Sequence, residues 1–283
     1  MQKSQLSSSV RGFIFVIAAL YTVLGLAMFL FPKDMAPDFA WKVTPFMTMT
    51  LGGWCLGNAW LAWAVGKRWT FSSIYPGLIY LSMFGVCELL VLLWFRDKIV
   101  LDHAIAWLYL VTLIANGLLV PWLVAEYAVT RPRIDRTGPQ IGKWRLGGVR
   151  AFLVFVGFLG VYGLLAQKGD PGLNRGIFPE VLSPFTLRAF GAFYLSLMVG
   201  SLSLAFDRRL STFLGHGFVS YGFIIFITAA AFVYIDLFDF IDRPGGAAYF
   251  GAYLIVAVVF AINFAWFGTG GEPRAPEAQA VPA

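Results

Sequence analysis

The sequence predicts an all-α integral membrane protein, with eight transmembrane helices arranged as two same-orientation four-helix repeats. Three observations predict it. Hydrophobic residues make up 59% of the 283-residue chain and charged ones only 13%, against about 25% charged in soluble domains. Eight long apolar stretches run through the chain, and about 20 such residues suffice to cross a bilayer. The stretches fall into two sets of four, related by a shift of 139 residues.

The first stretch, Gly12–Phe31, carries no charge and lacks a small-residue cleavage site, so it reads as a retained anchor rather than a signal peptide. Pro45–Gly66 follows Thr44, and Pro is tolerated at a helix start because the N–H there has no partner. Ile74–Phe95 and Ala104–Ala125 complete the first set. The second set is Ala151–Gln167, Phe185–Phe206 behind Ser183-Pro184, Phe213–Tyr234 and Gly246–Phe267. The implied layout is a tail at 1–9, a repeat at 10–129, a basic linker at 130–148, a repeat at 149–267 and a tail at 268–283. The last segment is rich in Gly, Pro, Ala and Glu and should be disordered.

The repeat rests on particular pairs. Val10-Arg11-x-Phe13 matches Val149-Arg150-x-Phe152, and Thr44-Pro45-Phe46 matches Ser183-Pro184-Phe185. Gly52 meets Gly191, Leu56 meets Leu195 and Asp97 meets Asp236. The final spans align with a shift of 144, pairing Tyr109 with Tyr253 and Trp122 with Trp266, so the extra residues fall around Ile241–Gly246. An even number of spans per unit makes both units face the same way, unlike inverted repeats.

The net charge of +6 sits in short loops. Arg131, Arg133, Arg136, Lys143, Arg145 and Arg150 crowd the loop between the fourth and fifth spans, while Asp34, Asp38, Asp97, Asp102, Asp170, Glu180, Asp236, Asp239 and Asp242 lie on the other side. The positive-inside rule then places both termini in the cytoplasm, for a protein of the inner membrane. The lipid bilayer, with its anionic headgroups, is the expected partner of the basic loop, and no nucleic acid is expected.

The stretch Thr186-Leu187-Arg188-Ala189-Phe190-Gly191-Ala192-Phe193-Tyr194-Leu195, after Pro184 and before Asp207-Arg208-Arg209, resembles the second span of small bacterial four-helix membrane proteins of the DoxX-like kind. Pro45 to Arg68 echoes it, with Met49 where Arg188 falls. The resemblance implies a four-helix bundle fused in tandem; it implies no particular chemistry.

Few residues can carry chemistry. Glu88 lies inside the third span, where an acid costs several kcal/mol unless neutral, paired or wet. Its counterpart in the second unit is Ile227. Arg188 either snorkels to the membrane face, pairs with Glu88 across the units, or binds a ligand or proton. Asn58 and Asn116, opposite Leu197 and Phe260, either bond between helices or join Glu88 in a polar pocket of the first bundle. Trp60 and Trp63, three residues apart, either pack between helices or stack on a flat ligand. Gly53 and Gly57 have the spacing of a tight helix crossing. Trp41, Trp69, Trp107, Trp122 and Trp266 suggest an interfacial belt.

Asp236, Asp239 and Asp242, on one face of a continuing helix, either form a solvated end or bind a hard cation, with Asp102 and His103 approaching from the matching corner. His103 and His216 fall at opposite faces and cannot share a metal or haem. Cys55 and Cys87 read as packing residues. No nucleophile, zinc, P-loop or dinucleotide motif is present, and no cofactor is evident. Three functions remain: a binder or carrier of a small apolar or amphipathic molecule, an accessory or scaffold subunit with membrane-protein partners, and a quinone-linked enzyme.

Overall fold

A computed structural model describes residues 6–135, 137–167, 180–242 and 245–269. Among them are eight long helices: α1 (Ser8–Leu30), α2 (Pro45–Arg68), α3 (Phe71–Trp94), α4 (Ala104–Thr130), α5 (Lys143–Leu165), α6 (Pro184–Leu202), α7 (Leu210–Val233) and α8 (Gly245–Phe267). The only bridge pairing among the described residues is the isolated contact of Gln140 with Arg209. Seven helices are long and apolar enough to cross a membrane, and the chain is a helical multi-pass membrane protein.

The exception is α2, which is as long as the others but less apolar. Its position explains this. Nearly every residue from Phe46 to Gly66 is buried by other helices, so Thr48, Thr50, Asn58 and four glycines cost it no exposure to lipid. α8 is the reverse case: only Gly246, Tyr249 and Asn263 are buried, and the rest is apolar surface.

Helix starts follow local chemistry. The hydroxyls of Thr44 and Ser183 accept from the amides of Met47 (3.2 Å) and Thr186 (3.1 Å), ahead of Pro45 and Pro184. Ser7 caps α1 in the same way. α5 begins at Lys143, not Ala151, so part of the expected basic linker is helical. There Arg145 donates to Asn263 Oδ1 (2.8 Å) and lies over the Phe267 ring, which holds this turn against α8.

The four central helices are α2, α3, α6 and α7. α2 packs on α7 and α3 packs on α6, while α1 lies on α2 and α5 on α6. α4 and α8 flank α3 and α7. The main hydrophobic core therefore runs across both halves, and a smaller cluster around Leu146, Val149, Leu153, Phe213 and Leu214 closes within the second. At its centre Trp54 stacks on Phe193 at 4.4 Å. Phe46 meets Tyr234 at 5.6 Å, and Phe185 meets Phe95 at 4.9 Å.

Both ends of the described chain lie at one end of the bundle. Trp69 Nε1 donates to the Leu6 carbonyl (3.1 Å), and Arg68 donates to the Thr269 carbonyl (2.7 Å). The interfacial belt is only partly formed. Trp107, Trp122 and Trp266 are exposed, but Trp41 and Trp69 are buried because each indole N–H is bonded inside, Trp41 to Thr186 and Trp69 to Leu6.

Candidate functional site

Glu88 faces inward from α3 and is 1% exposed; Asn58 on α2 and Asn116 on α4 are both at 0%. Three helices thus bring the expected polar residues into the first half of the core. The link between α3 and α4 is Gly85, one turn before Glu88. A Cβ added there would come within 3.0 Å of Asn116 Cγ, so only glycine allows this approach.

Tyr21 and Tyr80 border the cluster, and both are buried, as are Tyr109 and Cys55. Asn116 Nδ2 donates to the Tyr21 hydroxyl at 2.9 Å, and Asn58 Nδ2 to the Trp54 carbonyl at 3.0 Å. Phe84 forms a wall, with ring centroids 6.4 Å from Tyr21 and 5.8 Å from Tyr80. The signal that could have found the tyrosines is a hydroxyl in the interior of an apolar span, which needs a partner when buried.

Among the described residues, four buried polar atoms of this cluster meet no hydrogen-bond partner: Glu88 Oε1, Asn58 Oδ1, Asn116 Oδ1 and Tyr80 Oη. Leaving such a group unmet costs about 1–3 kcal/mol each. The equivalent positions in the second half are apolar: Ile227, Leu197 and Phe260. On the lipid-facing side of α3 and α4 lies an apolar groove of about 280 Å³, lined by Val86, Leu89, Leu90, Leu93, Ile114, Gly117 and Leu118. Leu89 and Gly117 are the chain neighbours of Glu88 and Asn116, so the seam between α3 and α4 separates groove from cluster.

The other expected residues lie elsewhere. Arg188 donates to the Gly163 carbonyl on α5 (2.9 Å), and no ion pair with Glu88 occurs among the described residues. Trp60 donates to the Phe218 carbonyl (2.9 Å) and packs over Gly222, which joins α2 to α7. Trp63 is 54% exposed, against Phe15 and Lys67.

The aspartate triad is corrected. α7 ends at Val233, so Asp236, Asp239 and Asp242 share no helix face. Asp239 Oδ1 instead accepts from the amides of Ile241 (3.1 Å) and Asp242 (2.9 Å), closing a turn. Among the described residues no group of three His, Cys, Asp or Glu side chains is placed to hold a metal. His103 lies 3.4 Å from Asp38, and His216 bonds Ser201 at 2.8 Å.

Two carboxyl groups outside the spans are tied to neighbouring side chains. At the end carrying the termini, Arg209 holds Asp207 through Nε (2.8 Å) and Nη2, and Tyr75 adds a bond of 3.0 Å. Burial opposes the charge on Asp207, but these bonds outweigh it and keep the carboxyl below its usual range. At the far end a recess of about 400 Å³ between the starts of α2 and α6 contains Glu180. Burial raises this carboxyl, and a hydrogen bond from Thr44 only partly offsets it.

No protein-family model, curated protein or solved structure matches the chain. Fold and site define it as a helical multi-pass membrane protein with a buried, incompletely satisfied polar cluster in one half.

Proposed function

We propose that this chain crosses the inner membrane eight times, as two same-direction four-helix repeats, and binds a small amphipathic molecule inside the first repeat. The observation that carries the binding reading is the unpartnered Glu88 Oε1, buried with three further unpartnered polar atoms. Stability alone does not account for such a group, because apolar residues fill the same places in the second half. The polar end of the molecule meets Glu88, Asn58 and Asn116. Its apolar part meets the rings of Phe84 and Tyr80 beside them, because the α3–α4 seam closes the cluster off from the lipid-facing groove.

The eight-span count is supported by α2 having the length of its neighbours and by Leu6 and Thr269 sharing one end of the bundle. The repeat is supported by contacts between matched positions. Trp54 and Phe193, offset by 139, stack on each other, as residues on a two-fold axis must. The pairs Phe46–Tyr234 and Phe185–Phe95 exchange under the same offset. Gly25 lies against Leu56 and Gly160 against Leu195, so two matched leucines serve the α1–α2 and α5–α6 crossings. The likeness of Thr186–Leu195 to DoxX-like proteins belongs to this proposal.

Native mass spectrometry of protein extracted gently from its membrane tests the reading. A discrete small-molecule adduct that disappears in Glu88→Gln is the expected result. Bare protein with stoichiometric partner chains would replace this reading with that of an accessory subunit. An adduct that survives both Glu88→Gln and Asn58→Leu would place the molecule elsewhere.

A further inference from the structure

We infer that the start of α5 is a binding site for an anionic phospholipid, in the leaflet at the end carrying the chain termini; this stands independently of the reading at Glu88. α5 is among the helices long and apolar enough to cross a membrane. Its start lies at that end, because Arg145 meets Asn263 and Phe267 near the close of α8. Lys143, Gly147, Arg150, Val154, Phe158 and Val161 follow one another at spacings of three or four residues, which places them on one face of the helix. All of them are exposed, whereas Leu146, Val149, Leu153 and Val156 bury the opposite face. One stripe therefore passes from cations to apolar side chains, the order in which a lipid presents its headgroup and its acyl chain.

The two cations are free, unlike others at this end. Arg11 donates to the Gly66 carbonyl (2.8 Å), Arg68 to the Thr269 carbonyl, Arg145 to Asn263 and Arg209 to Asp207. Lys143 and Arg150 have neither a hydrogen-bonding nor an acidic partner among the described residues. No Asp or Glu occurs between 136 and 169 in the sequence. The two stand about 10 Å apart along the helix axis, within the joint reach of two long side chains. Between them Gly147 and Gly148 leave an open shelf, where an added Cβ would meet nothing within 4 Å. A phosphate over this shelf accepts from both cations, and bonds between charged partners are the strong ones. Trp144 stands beside them, 95% exposed. Such an indole suits the headgroup layer, where the ring packs on acyl carbons and the N–H stays wet. A zwitterionic headgroup brings a cation of its own to a face that offers it no acid. A headgroup with net negative charge is therefore preferred.

Native mass spectrometry of the full-length protein, offered equimolar phosphatidylglycerol and phosphatidylcholine with the same acyl chains, reads this preference. The expected result is retention of phosphatidylglycerol over phosphatidylcholine by at least about fivefold, equivalent to about 1 kcal/mol. Lys143→Gln with Arg150→Gln should abolish the preference. Lys33→Gln with Lys98→Gln, which removes the same charge from exposed bases at the far end, should keep it. If the first pair of substitutions does not fold, Gly147→Leu covers the shelf, leaves both cations and should reduce phosphatidylglycerol retention. Equal retention of the two lipids by the unaltered protein overturns the inference. So does a preference that survives both the loss of the two cations and the covered shelf. A preference lost equally in the far-end variant overturns it too, by assigning the effect to net charge and not to this site.

Discussion

At the residue scale, burial has opposite consequences for the carboxyl groups of this protein. Asp207 is held by Arg209 and Tyr75, and its folded pKa lies below its unfolded one. Its stabilisation is therefore present above the unfolded value, about 3.9, and is lost as pH falls through the folded value. The melting temperature should drop on acidification below about pH 4, and Asp207→Asn should flatten that drop. An unchanged acid limb in the variant would show that this ion pair contributes nothing. Glu180 has the reverse sign, because burial raises its folded pKa above the unfolded one. Its contribution is complete below the unfolded value, about 4.3, and declines as pH rises through the folded value. Glu180→Gln keeps an acceptor for Thr44 and should raise the neutral-pH melting temperature relative to that at about pH 4. A lower melting temperature at neutral pH would contradict this.

Glu88, Asn58 and Asn116 were legible in the sequence because a polar side chain in an apolar span stands out. Their tyrosine neighbours were not, since nothing in the sequence says which face of α1, α3 or α4 turns inward. Arg188 illustrates the same gap. Depth alone makes Glu88 a plausible partner, but the glycine contact between α5 and α6 leaves the Gly163 carbonyl within its reach.

At the element scale, close approach by glycine organises the helix pairs. A Cβ on Gly191 would lie 2.6 Å from Leu164 N, and one on Gly52 would lie 2.7 Å from Phe29 N. Without a hydrophobic drive between helices in lipid, such dispersion contacts supply much of the association. Gly191→Val should therefore force α5 from α6 and cost about 1–3 kcal/mol in a denaturation assay. Gly251 on α8 meets nothing within 4 Å, so Gly251→Ala should be neutral or stabilising by up to about 1 kcal/mol. Equal effects of the two substitutions would refute the packing argument. The helix starts at Pro45 and Pro184 could be read directly from Thr-Pro and Ser-Pro. The start of α5 could not, because Lys143 and Arg145 resemble loop residues until Asn263 and Phe267 are seen to hold Arg145. The left-handed caps at Trp69 and Arg131 were equally hidden, lacking the glycine that marks such ends.

At the scale of the whole molecule, hydropathy and packing give different weights to α2. Hydropathy measures what a helix shows to lipid, and a helix enclosed by protein need not be greasy. The offset of 139 in the sequence predicted two four-helix units, but the core is shared. The reason is that α3 and α7 leave their own unit's α2 and α6 to pack chiefly on those of the other. Such exchange between halves is consistent with the duplicated arrangement, and it makes each unit depend on its twin. The first and second halves, expressed as separate chains, should each aggregate or unfold, and co-expression should recover a complex. A stable isolated second half would contradict the shared core.

The central claim is that α2 crosses the membrane, giving eight passages in two same-direction units. Reporter domains that function only in the cytoplasm, fused separately to the N-terminus and the C-terminus, measure this directly. Eight passages predict that both reporters are active. One active and one silent reporter would mean an odd number of crossings and would contradict the account.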